Sequence, residues 1–221
     1  MQTSTCKLIA RNRHAPAFGL IELLVVMAII AVLLVAAVPI LSNSSNNARQ
    51  ASQAIIKEHL QQARSHAIAT STATAVAIPV LASGGELGAR SISHFEVKLD
   101  GANYVPTKDE SGHENQLQRW EFLPGNFHFL SAAQTSSDKP TIVDSADTMQ
   151  TNFKSKTLTC HIIVFAPNGQ IVRPSTEINI ATAQAANRKN SLILTQQTNG
   201  EPVFDLLQVN RLTGRTRFVE P

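Results

Sequence analysis

The sequence predicts an α+β fold: a long N-terminal helix, membrane-spanning in its first half, packed through its second half on an antiparallel β-sheet domain. Three observations predict it. Residues Leu23–Leu41 are nineteen consecutive positions without a charge. Further on, Ile56, Leu60, Ala63 and Ala67 recur at spacings of 4, 3 and 4, the stripe of an amphipathic helix. From Ala73 onward the texture changes to short β-type runs punctuated by turn residues.

The first element, residues 1–17, reads as a leader. It holds Lys7, Arg11 and Arg13 and no acid. Without it, Lys+Arg falls from 19 to 16 against 16 acids, so the formal charge drops from +3 to 0. The basic pI of about 9.1 therefore belongs mostly to the leader and is no argument for a nucleic-acid-binding body. A basic stretch before an apolar span keeps that end in the cytoplasm and sends the rest across the inner membrane, into a periplasm. The small residues Ala15, Pro16 and Ala17 come before the apolar run, the reverse of a secretory signal peptide. A cut at Ala17–Phe18 would remove the basic tip and leave the spanning helix in place.

Residues 18–41 are the span. Nineteen uncharged residues reach roughly 28 Å at 1.5 Å per residue, about one hydrocarbon thickness. Glu22 stands at the edge of the run, where an acid costs a few kcal/mol and needs a partner. Pro39, near the far end, removes one helix hydrogen bond and loosens or ends the helix there.

Ala17-Phe18-Gly19-Leu20-Ile21-Glu22, with the run on to Ile30, resembles the processing signature of type IV pilins and pseudopilins. The resemblance implies a prepilin peptidase that cuts after Ala17 and methylates the amine of Phe18, making Glu22 the fifth mature residue. Ala17 departs from the pattern, which usually has glycine. The physics fits the implied role. A free amine at Phe18 and the carboxylate of Glu22 share a low-dielectric layer, where paired charges cost much less than isolated ones. The same pairing between neighbouring chains would set assembly register.

Residues 42–72 form the stem. Ser42–Asn47 is polar enough to interrupt or cap the helix, and the helical signal returns from Ala48 to about Thr72. Arg49, Gln53, Lys57, Gln61 and Arg64 occupy the face opposite the apolar stripe.

Residues 73–221 form the β-rich domain. Strands are expected at Ala75–Leu81, Ile92–Leu99, Leu117–Leu123, Phe127–Leu130, Leu158–Ala166, Ile171–Arg173, Leu192–Gln196 and Leu206–Val219. Pro167-Asn168-Gly169 signals a hairpin, and Leu212-Thr213-Gly214 a second turn. Ser131–Lys156 reads as a long loop and Ala181–Asn190 as a shorter one. Leu60–Ile78, Ile163–Val172 and Val209–Phe218 are similar to segments of GspH/FimT-type minor pseudopilins, whereas Ser83–Lys156 adds little to that likeness.

Catalytic chemistry finds no constellation. The seven histidines are scattered, no H-E-x-x-H or C-x-x-C spacing occurs, and no metal or cofactor is expected. His59 and His66 share a helix face two turns apart, too far for one metal without a third element. Cys160 reads as a small buried strand residue, the one cysteine left once the leader with Cys6 is removed. The remaining candidates are Arg215 and Arg217. Two apart on a strand, they face one side and suit successive phosphates, or else form a plain solvated face. Gly214-Arg215-Thr216-Arg217 looks like the element of FimT-type pilins tied to DNA uptake.

The expected function is a non-enzymatic structural subunit of a type II secretion or type IV pilus-like system. Its expected partners are prepilin peptidase, other pilins or pseudopilins in a filament, and the inner membrane. The alternatives are a DNA-binding minor pilin and a membrane-anchored periplasmic protein of other activity.

Overall fold

The computed structural model describes residues 19–42, 44–85, 87–131, 134, 141–154, 156–175, 178–184, 197–198, 201–202 and 204–219. The chain divides into two compact units, Met1–Ser44 and Ser45–Pro221.

The first unit contains α1 (Leu20–Ser42), a 23-residue helix whose one acid in the first turn is Glu22. Apart from Glu22, its described side chains are apolar, and all are exposed, Leu20 at 85% and Leu33 at 62% among them. Among the described residues no helix is long and apolar enough to cross a membrane. Described side chains cover α1 only from Leu20 to Leu33, about 21 Å of helix against a hydrocarbon core of roughly 30 Å.

The second unit is built on α2 (Ser44–Thr70) and two sheets. The larger sheet contains β1 (Ala73–Pro79), β2 (Ser91–Asp100), β3 (Asn103–Pro106), β4 (Gln116–Phe122), β6 (Thr148–Phe153), β7 (Lys156–Phe165) and β8 (Ile171–Arg173). Its main order is β3-β2-β1-β7-β6, with β4 paired to β2 and β8 to β7. The smaller sheet runs β13-β12-β9-β5, from β5 (Phe127–Leu130), β9 (Ile178–Gln184), β12 (Asp205–Val209) and β13 (Thr216–Val219). A short α3 (Leu81–Gly84) and the two-residue pair β10 (Gln197–Thr198) and β11 (Glu201–Pro202) complete the described elements. Every described strand pairing is antiparallel.

The predicted stripe is the reason α2 sits where it does. Ile56, Leu60, Ala63 and Ala67 are all buried, in one cluster with Val76, Ile78, Ile92, Ile163 and Phe165 of the large sheet and Ile178, Ile180, Leu207 and Val209 of the small one. One helix thus fills the space between two sheets. Burying Ile56 and Leu60 alone stabilises the unit by roughly 1.5–3 kcal/mol each. The two alanines let the strands approach closely. The other face of the large sheet carries a second core of Ala75, Ala77, Phe95, Met149, Leu158, Cys160 and Ile162. That sheet curls: its edge strands β3 and β6 lie against each other. Glu114 fastens the seam by accepting from Asn152 N at 3.0 Å and Asn152 Nδ2 at 2.8 Å, and from the Thr151 hydroxyl.

Several expectations change. The long loop 131–156 contains a 3-10 turn (Ile142–Asp144), all of β6 and the first residue of β7. In β6 the inward positions are Met149 and Thr151, and a buried threonine masks the alternation. The shorter loop 181–190 is β9 as far as Gln184, because Ala181 and Ala183 face inward with little apolar signal. Leu206–Val219 is two strands, with the expected turn between them. Strand β3 is additional, and the expected strand 192–196 lies outside the described residues. The hairpin at Pro167–Gly169 joins β7 to β8, closed by Ala166 N donating to Gln170 O at 2.8 Å.

Candidate functional site

Two regions carry the candidate residues. Ala17 and Phe18 lie outside the described residues. Glu22 is exposed in the first turn of α1, and its amide donates to Gly19 O at 3.0 Å. Around it stand Leu20, Ile21, Leu23, Leu24, Val25 and Val26, each at least 46% exposed.

The second region is the β12–β13 hairpin. Leu206 pairs with Val219 and Gln208 with Arg217. Asn210 shapes the turn: its Oδ1 accepts from the amides of Leu212 at 3.1 Å and Thr213 at 3.0 Å. Gly214 N donates to Asn210 O at 2.7 Å. Arg217 sits on β13 and donates from Nε to Gln208 Oε1 at 2.8 Å. Arg215 falls one residue before β13, at the hairpin end rather than on the strand. The turn takes that position, because Asn210 N and Arg215 O close it at 2.8 Å. Among the described residues the Arg215 guanidinium makes no hydrogen bond or ion pair, whereas Arg211 donates to Ser175 O.

Both arginines line a cavity of about 730 Å³ together with Arg211, Asn210 and Thr213. Arg215 also lines a neighbouring cavity of about 400 Å³, where Lys57, Gln61 and Arg64 of α2 face the hairpin. No acid lines either cavity among the described residues. The cations of α2 belong to the polar face visible in the sequence, but nothing there places them beside a hairpin 150 residues away.

Catalytic and metal chemistry gains little. No group of three His, Cys, Asp or Glu side chains able to hold a metal ion occurs among the described residues. Cys160 is buried and free, and burial, helped by Glu114, pushes its thiol up to about 12, so it stays a thiol at any ordinary pH.

Residues 12–38 match the family model of the prokaryotic N-terminal methylation motif. The chain carries that motif at its N-terminal end. The matched stretch contains Ala17, Phe18 and Glu22 and the described start of α1. No curated protein matches this chain. Among solved structures it is similar to the type IV minor pilin FimU of Pseudomonas aeruginosa strain PAO1, at 18% identity and a TM-score of 0.43 over 81% of this chain and 92% of that one.

Proposed function

We propose that this chain is a minor pilin or pseudopilin, a non-enzymatic structural subunit of a type IV pilus or type II secretion system. Prepilin peptidase cuts between Ala17 and Phe18 and methylates the Phe18 amine. Residues 18–41 hold the subunit in the inner membrane in a single pass, with the N-terminus cytoplasmic. Residues 42–72 form the stem, and residues 73–221 a periplasmic domain. On assembly Glu22 pairs with the free amine of a neighbouring subunit and fixes the register between the two.

The observation that carries this reading is the coincidence of the methylation motif with α1, an apolar helix with one acid in its first turn. The decisive experiment is mass analysis of the mature N-terminus from membranes. N-methylated Phe18 is expected, and an intact Met1 overturns the reading. Glu22→Ala is expected to be processed and yet fail to enter filaments.

A second reading, DNA binding, is favoured by the cavity beside Arg211, Arg215 and Arg217, whose described lining holds no acid. Phosphate contacts by such a cluster are salt-sensitive. Replacing Arg215 and Arg217 by alanine should then abolish salt-sensitive DNA retention; unchanged retention removes the reading.

A further inference from the structure

The apolar seam between α2 and the large sheet is interrupted by a pair of buried histidines. His59, on the buried side of α2, is fully shielded from solvent, and His94 of β2 is 4% exposed. Their Nδ1 atoms lie 3.2 Å apart, and the rings meet edge to face at 79°. His59 Nε2 lies 3.1 Å from Oε2 of Glu121 on β4. Glu121 also accepts from Gln118 Nε2 at 3.5 Å and is 39% exposed, so the far end of the chain reaches water.

The tautomers follow from the partners. A carboxylate only accepts, so His59 Nε2 carries the proton. Neutral His59 therefore has a bare Nδ1, and the 3.2 Å contact requires the proton on His94 Nδ1. The result is a directed relay from His94 to His59 to Glu121. One added proton can be accommodated: His59 becomes a cation that donates to Glu121 on one side and, once His94 changes tautomer, to His94 on the other. A second proton cannot. Both Nδ1 atoms would then be donors, with two positive rings in contact in a buried site.

We propose that His59, His94 and Glu121 form a proton-operated latch that fastens α2 to the β2–β4 ladder, tolerating one added proton and released by the second. Neighbouring charges act in the same direction. Glu58 on α2 favours the His59 cation, as Glu121 does. His66, held to Thr74 of β1 at 3.2 Å, opposes a charge on His94. From β1 the residue opposite His94 is Val76, which offers no charge; Glu96, two residues along β2 on the same face, pairs with Thr74. Burial, together with the charges of His59 and His66, pushes His94 down to about 4, which places the release step in acid.

The test is a pH titration of the full-length chain in detergent micelles, following histidine ring nitrogen shifts and amide exchange along α2. Two steps are expected: His59 first takes up a proton and His94 changes tautomer with α2 still protected, and then, near pH 4, protection of α2 falls by about a hundredfold. In His94→Gln, whose amide can accept from His59 whatever the pH, the second step should disappear. The proposal is overturned if His94 titrates as an ordinary exposed histidine near pH 6.5. It is equally overturned if α2 loses protection in one step that the His94→Gln variant shares. The wild-type ring shifts decide the matter even if that variant does not fold.

Discussion

At the scale of a single residue, Gly125 shows how little space separates α2 from the small sheet. It lies in the turn before β5 with φ +63°, and a Cβ built there would sit 2.4 Å from the Ala48 Cβ on α2. An alanine Cβ on a helix has no rotamer in which to escape, so either the turn or the helix must shift. Gly112 provides the control. It too has positive φ, at +81°, but a Cβ there meets nothing within 4 Å. Gly112→Ala should cost only the left-handed strain, about 1 kcal/mol. Gly125→Ala adds overpacking, typically 1–3 kcal/mol more. Urea unfolding of the two variants side by side checks this, and equal midpoints would show that the turn is free to move away from Ala48.

At the scale of the element, the start of α2 is tied to β12 by an unequal ion pair. Arg49 Nε donates to both Asp205 oxygens at 2.8 Å, yet the arginine side chain is 48% exposed and the aspartate only 6%. Removing either partner breaks the same pair with different consequences. Asp205→Ala leaves a guanidinium that can turn to water, whereas Arg49→Ala strands a buried carboxylate, for which the cost is about 3 kcal/mol. Arg49→Ala should therefore be the more damaging variant by thermal unfolding, and the reverse order would mean that Asp205 is solvated once unpaired. The pair also shows what the sequence makes legible. The stripe Ile56, Leu60, Ala63 and Ala67 announces a helix and its buried face, and Pro167-Asn168-Gly169 announces a hairpin, because each signal is local. Strands β6 and β9 stay hidden because their inward residues include Thr151, Ala181 and Ala183, which carry little hydrophobic contrast. The position of Glu22 in an apolar run is legible for the same local reason. The meeting of His59 with His94 and the facing of Arg64 and Arg215 across a cavity are long-range products of the two-sheet packing, which no spacing along the chain encodes.

At the scale of the whole molecule, the unit Ser45–Pro221 stores an acid sensitivity in its histidines. His59, His94, His128 and His161 are all buried, and burial lowers the pKa of each below its ordinary value near 6.5. Hydrogen bonds donated to the Glu121 carboxylate and to the Asn126 and Ser145 carbonyl oxygens oppose the shift at His59, His128 and His161 without reversing it. Since the folded pKa values are the lower ones, the unfolded chain binds protons first as pH falls. Stability from these groups is complete above about pH 6.5, declines below it, and stops declining once the folded pKa is passed, near 4 for His94. For His94 alone the difference amounts to about 3 kcal/mol, from 1.36 kcal/mol per pKa unit. Carboxylates contribute little between pH 7 and 5, because unfolded Asp and Glu titrate near 4. A loss of stability in that window therefore belongs to histidine. The urea midpoint of the full-length chain in micelles should fall steadily from pH 7 to pH 5 with an unchanged slope. A midpoint constant across those two units would mean that the buried rings already reach solvent in the folded chain.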